Sequence, residues 1–122
     1  MPLCSIGMSN RKEGARTQFL RGTLDLMILR SLEALGPLHG YAIAARLEQI
    51  SQGALVPNMG TLYPGLMRLE QRGLISATWD VTENNRSARY YEITAAGRRA
   101  LASEKKEWDR MVAIMTTLFG EA

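Results

Sequence analysis

Apolar residues recur along the chain at two spacings, and the switches between them divide it into elements. From Thr23 to Leu35, the residues Leu24, Ile28, Leu32 and Leu35 fall on one face at helical spacing, which predicts an amphipathic first helix. Gly36-Pro37 ends it, because glycine suits a C-terminal cap and proline cannot continue a helix. A second helix is expected from about Gly40 to Ser51, with Ile43, Leu47 and Ile50 as its buried stripe and Gln52-Gly53 as its break. Ala42, Ala44 and Ala45 favour helix there and let a neighbour approach closely. A third helix starts near Asn58–Thr61 and ends at Arg72, with Leu62, Leu66 and Leu69 facing the core and Gly73 as the cap. Pro64 constrains its start. With Thr61 as N-cap the proline falls in the first turn, where its missing N–H costs nothing; with Asn58 as N-cap it sits deeper and removes a hydrogen bond. The Thr61 start is therefore expected.

After Gly73 the period becomes two. Over Leu74–Val81, Ile75, Ala77 and Trp79 alternate with Ser76, Thr78 and Asp80; over Arg89–Ile93, Tyr91 and Ile93 alternate with Tyr90 and Glu92. Two half-buried strands joined by the polar stretch 82–88 read as a β-hairpin with an exposed tip. Thr94 then caps a long helix, about Ala95 to Leu118, in which the early Gly97 is a weak point and not a stop. Leu101, Trp108, Met111, Val112, Met115, Leu118 and Phe119 define its apolar side. The spacings 101-108-115 and 111-118 suit a helix-on-helix seam, so this side is assigned to a homodimer contact. The expected fold is mainly α with a small β-hairpin: a winged helix-turn-helix plus a long C-terminal helix. The expected division is a flexible basic arm over residues 1–19, a DNA-binding domain over 20–94 and a dimerisation helix over 95–122.

Composition narrows the class. With 122 residues, 46% apolar and 22% charged, the chain suits one soluble domain with a real core. Cys4 is the only cysteine and His39 the only histidine, which excludes an internal disulfide and a structural zinc site. No cofactor is expected. No apolar run reaches the roughly 20 residues of a membrane helix, and the first residues lack a signal peptide's apolar core, so a cytoplasmic protein is expected. Met8 is a second possible translation start. The net charge is +3, and its place matters more than its size. Arg11, Lys12, Arg16 and Arg21 against Glu13 supply all of it, since residues 23–122 hold 11 basic and 11 acidic side chains. A basic arm suits a polyanionic partner, although such leaders are also common as plain tails.

Three helices followed by a hairpin are the winged helix-turn-helix order, in which the third helix enters the major groove and the hairpin lies along the backbone. Base edges need compact donors and acceptors on a groove-sized helix, whereas phosphates need cations and N–H groups. The expected DNA-binding residues are Asn58, Thr61, Tyr63, Pro64 and Arg68 around the third helix, and Asn85, Arg86 and Arg89 in the hairpin. Tyr63 can offer a hydroxyl to phosphate or a ring to a thymine methyl, or pack the turn as a half-buried side chain. Arg68 can reach base edges or phosphates, or stand as a solvated arginine. Gln71 lies near the helix end and reads as solvated. Asn84 and Asn85 also suit turn chemistry, and Arg89 can instead stack on Trp79 across the hairpin. His39, at a helix start, reads as a capping or packing residue. No catalytic triad, phosphate-binding glycine loop or metal-ligand cluster is present in the pattern, so an enzyme is not expected. The competing reading is a winged-helix module that binds protein and never DNA.

The blocks Leu20-Arg21-Gly22-Thr23-Leu24-Asp25-Leu26, Pro37-Leu38-His39-Gly40-Tyr41, Gly60-Thr61-Leu62-Tyr63-Pro64, Leu69-Glu70-Gln71-Arg72-Gly73-Leu74-Ile75, Ala88-Arg89-Tyr90-Tyr91 and Thr94-Ala95-Ala96-Gly97 stand in this order. Together they resemble the PadR family of transcriptional regulators over about residues 20–118. The resemblance implies a bacterial winged-helix regulator, usually a repressor, that forms a homodimer through its C-terminal helix. It is most similar to the short form with one long C-terminal helix. It also implies that the helix carrying Thr61-Leu62-Tyr63-Pro64 recognises a double-stranded DNA operator, that the wing is basic, and that a small-molecule effector releases the protein. An effector site is expected between the C-terminal helices and the winged domains, near Trp79 or Trp108.

Overall fold

The computed structural model describes residues 23–120. The expected arm, with Arg11, Lys12, Arg16 and Arg21, lies outside the described residues. The elements are α1 (residues 23–35), β1 (Leu38–His39), α2 (Gly40–Ile50), α3 (Met59–Gln71), β2 (Ile75–Val81), β3 (Ser87–Ile93) and α4 (Ala95–Gly120). Three helices and a hairpin build a winged helix-turn-helix domain, from which the long α4 departs.

The core lies where α1, α2 and α3 meet the root of the hairpin. Ile28, Leu32, Ile43, Leu62, Leu66, Leu69 and Ile75 are its most deeply buried large side chains. Leu24, Leu29, Leu47, Leu74, Tyr91, Ile93 and Leu101 complete it. The predicted stripes locate this core, with corrections at their ends. Leu35 is 47% exposed and Ile50 is 60% exposed, because each lies in the last turn of its helix, beyond the neighbouring element. Leu29, outside the predicted stripe, is buried instead.

The sheet has three antiparallel strands in the order β1-β3-β2. β1 is an addition to the expected hairpin: Leu38 pairs with Tyr91 and His39 with Tyr90. In the hairpin, Ile75 lies opposite Ile93, Ala77 opposite Tyr91 and Trp79 opposite Arg89. Its alternation is buried only at the root. Trp79, expected on the half-buried face, is 71% exposed, since the hairpin has run past the helices by that point.

Capping explains where the helices start and stop. His39 caps α2, its Nδ1 accepting from the Ala42 N–H at 3.2 Å. Its ring also meets Tyr90 edge-on, with centroids 5.2 Å apart. Asn58, not Thr61, is the N-cap of α3: its side-chain oxygen accepts from the Thr61 N–H at 2.9 Å. Pro64 therefore sits inside the helix, at its sixth residue. An asparagine cap satisfies an otherwise orphaned donor, worth about 1 kcal/mol, and the buried Leu62, Leu66 and Leu69 hold the helix through the turn that the proline weakens. At the other end, Gly73 takes a left-handed φ of 75°. The Leu74 N–H bonds to the Leu69 carbonyl and the Gly73 N–H to that of Glu70, both at 3.0 Å, a Schellman closure.

Thr94 joins this closure to α4. Its hydroxyl donates to the Gly73 carbonyl at 2.7 Å, and its N–H donates to the Leu74 carbonyl at 3.0 Å. The same hydroxyl oxygen accepts from the Gly97 N–H at 3.0 Å, capping α4. Gly97 is buried against the turn after α3: a Cβ there would run into the Leu74 carbonyl oxygen and lie 2.7 Å from Ile93 Cγ1. A close approach of backbones, rather than helix propensity, explains this glycine.

Candidate nucleic-acid interface

The outward face of α3 is built by subtraction. Leu62, Gly65, Leu66 and Leu69 are buried, which leaves Thr61, Tyr63, Pro64, Met67 and Gln71 exposed on the other side. Gly40, in the first turn of α2, lets α3 sit close to the start of α2: a Cβ there would lie 3.0 Å from Met59 Cε and 3.5 Å from the Tyr63 hydroxyl. The surface between α3, the start of α2 and the hairpin is concave, with a volume of about 970 Å³. Tyr41, Tyr63, Met67, Trp79, Arg86 and Tyr90 are among the residues that line it.

The residues assigned to DNA from the sequence have distinct settings. Thr61, Tyr63 and Pro64 share the exposed face of α3, whereas the Asn58 side-chain oxygen is engaged in the cap. Asn85 has φ 63° and its N–H bonds to the Thr82 carbonyl at 2.9 Å, so it makes the hairpin turn. Arg86 follows it, exposed, with its backbone tied to Thr82. The other two arginines are paired within the chain. Arg68 Nη2 donates to Asp25 Oδ1 in α1 at 3.0 Å, with side-chain exposures of 30% and 16%. Arg89 Nη2 donates to Glu70 Oε2 at 2.8 Å; it does not stack on Trp79, its cross-strand neighbour. Under this pair, burial pushes the Tyr91 hydroxyl pKa above its ordinary value, Arg89 pulls it down, and Tyr63 and Glu70 add to the rise.

Sequence reasoning missed Asp25 and Glu70. Their partners lie 43 and 19 residues away, outside any local pattern. Tyr41, 68% exposed beside the concavity, was also missed, and only its aromatic character on a polar helix face could have signalled it.

The apolar side of α4 divides in two. Leu101, expected in a dimer seam, is buried in the domain's own core, because α4 still packs on the hairpin root there. Residues 102–120 are all exposed. Trp108, Met111, Val112, Met115, Leu118 and Phe119 lie among them, with Phe119 at 80%. Ile114, not singled out before, is 49% exposed on the margin of the same stripe. Among the described residues, no helix is long and apolar enough to cross a membrane.

Comparison with known proteins agrees with this architecture. The chain is 33% identical over 94 residues to a transcriptional regulator of Mycobacterium tuberculosis, Rv3488, covering 77% of this chain and 83% of the relative. It is 40% identical over 87 residues to an uncharacterised transposon protein of Streptomyces fradiae, a match covering 71% of this chain. It is 29% identical over 105 residues to the transcriptional regulator YqjI of Escherichia coli, covering 85% of this chain. The matches span only 23% of the Streptomyces protein and 48% of YqjI. Among solved structures, a transcriptional regulator from Clostridium thermocellum superposes with a TM-score of 0.73 at 27% identity, covering 82% of this chain and 96% of that one. A PadR-like transcription factor from Bacteroides fragilis gives a TM-score of 0.73 at 25% identity, with 86% and 98% covered. Residues 28–103 match the transcriptional regulator PadR-like family, and the chain belongs to that family.

Proposed function

We propose that this protein is a sequence-specific DNA-binding repressor that acts as a homodimer. α3 enters the major groove, the hairpin tip follows the phosphate backbone, and occupation of a pseudo-palindromic operator blocks transcription. One observation carries the reading: Tyr63 and Met67, on the exposed face of α3 beside Thr61, Pro64 and Gln71, line one concave surface with a hairpin whose tip presents Arg86, which has no ion-pair partner among the described residues. A threonine hydroxyl and a glutamine amide can reach base edges, a tyrosine can meet a thymine methyl or a phosphate, and an arginine at the tip suits phosphate.

The dimer is formed by α4. A stripe of six large apolar side chains from Trp108 to Phe119 on an exposed helix needs a partner surface, and a second copy supplies the same stripe. Pairing of two α4 helices sets two α3 helices at half-sites about 34–36 Å apart. A small-molecule effector acts on the tilt between α4 and the winged domain.

Fluorescence anisotropy with duplex DNA tests the reading. Affinity falls steeply with salt for the DNA-binding protein, and Arg86→Ala weakens it with the fold unchanged. Salt-independent binding to a protein partner, with no DNA affinity, would support the interaction module instead; the balanced charge of residues 23–122 is the feature that favours it. Trp108→Glu or Met115→Glu shifts the dimer towards monomer in sedimentation, and a clean dimer from both variants would exclude this seam.

A further inference from the structure

Arg68 and Glu70 stand two positions apart on α3, and so about 200° apart around its axis. They occupy opposite edges of the exposed face. On one edge Arg68 reaches Asp25 of α1; on the other Glu70 reaches Arg89 of β3. Tyr63, Pro64, Met67 and Gln71 lie between these edges. The Asp25 pair is packed against the helix: a Cβ on Gly65 would lie 3.4 Å from Arg68 Nη2 and 3.5 Å from Asp25 Oδ1. Arg68 Nε is buried without an acceptor among the described residues, so the guanidinium is held at its Nη2 end.

The hydrophobic effect has no directional preference, so within the limits of close packing it does not by itself select one roll of the helix. Hydrogen-bonded ion pairs on both edges oppose a roll in either sense. A roll of about 20° moves a side-chain tip 5–6 Å from the axis by about 2 Å, enough to break a base contact whose donor–acceptor distance is about 3 Å.

We propose that the Asp25–Arg68 and Glu70–Arg89 pairs form a clamp that fixes the roll of α3 against α1 and the wing. Its four members are positioning residues for base reading and not phosphate contacts. The clamp rests on the DNA-binding reading above and refines it, since two of the arginines assigned to DNA from the sequence act inside the protein.

The full chain first selects a preferred duplex from a randomised library. Affinity for that duplex and for a scrambled duplex is then measured against salt for Arg68→Gln, Asp25→Asn, Glu70→Gln and the Asp25→Asn/Arg68→Gln double variant. Asp25→Asn and Glu70→Gln keep side-chain size, Arg68→Gln shortens the side chain, and thermal melting verifies that each folds. Each single variant is expected to reduce the preference for the selected duplex by about tenfold, the loss of one base contact. The salt slope stays unchanged, and the double variant loses less than the two single variants together. A slope reduced by about 0.9 per protomer in Arg68→Gln, with Asp25→Asn unaffected, would make Arg68 a phosphate contact and overturn the clamp. Unchanged preference in all variants would also overturn it. If the wild-type chain selects no duplex, the DNA reading itself falls, and the clamp with it.

Discussion

Replacing Gly97 with alanine inserts one methyl group where α4 crosses the turn after α3. The new Cβ would run into the Leu74 carbonyl oxygen and lie 2.7 Å from Ile93 Cγ1 and 3.0 Å from the Leu74 carbonyl carbon. Two of the three neighbours are backbone atoms in a hydrogen-bonded turn, so they cannot rotate away as a side-chain end can. α4 must retreat by about 1 Å to reach ordinary contact distance. Overpacking of this kind costs about 1–3 kcal/mol. The retreat also stretches the 3.0 Å bond from the Thr94 N–H to the Leu74 carbonyl, forfeiting about 1 kcal/mol. Alanine returns about 1 kcal/mol of helix propensity. The expected net loss is about 1–3 kcal/mol, a fall in melting midpoint of roughly 5–15 °C for a domain of this size. Circular dichroism at fixed protein concentration measures it, with Gly120→Ala as control because nothing lies within 4 Å of a Cβ there. An unchanged or raised midpoint for Gly97→Ala would show that the crossing has slack, and the close-approach explanation would be wrong.

Asn58→Ala removes the acceptor for the Thr61 N–H and is expected to destabilise by about 1 kcal/mol in urea unfolding; no change would mean that the cap is redundant. Pro64→Ala restores an N–H inside α3 and is expected to stabilise by about 1–3 kcal/mol in the same assay, whereas destabilisation would show that the ring packs usefully. Burial raises the Tyr91 pKa in the folded state, so the folded protein holds that proton above the unfolded value near 10. This contribution to stability is fully present below about pH 10 and is lost as pH rises through the folded value. Tyr91→Phe should flatten the alkaline decline in thermal stability, and an identical decline in the variant would refute this origin.

Most of the fold was legible because long periodic segments dominate it. The stripes of α1, α2 and α3 and the alternation at the hairpin root bury the residues that their spacing selects, except at the ends of α1 and α2. The misses have physical causes. Local rules placed Pro64 in the first turn of α3, but the Asn58 cap and the buried leucines outweigh one lost hydrogen bond. β1 is two residues long, too short for any period, and exists through pairing with Tyr90 and Tyr91. Leu35, Ile50 and Trp79 follow their patterns past the end of the surface that could bury them. In the candidate interface, the exposure of Thr61, Tyr63 and Arg86 was legible from position alone. The ion pairs of Arg68 and Arg89 were not, since their carboxylate partners come from other elements.

The Thr94 joint gives α4 the mechanics of a lever. One residue is hydrogen-bonded to the turn that closes α3 and also caps α4, so the base of the long helix and the end of α3 share a fulcrum. The 26 residues of α4 extend about 39 Å at about 1.5 Å per residue. A tilt of only about 10° at the fulcrum sweeps the far end of such a helix through about 7 Å. Read in reverse, a displacement of several ångströms among the exposed side chains near Phe119 arrives at α3 as a few degrees of rotation, geared down in distance and raised in force.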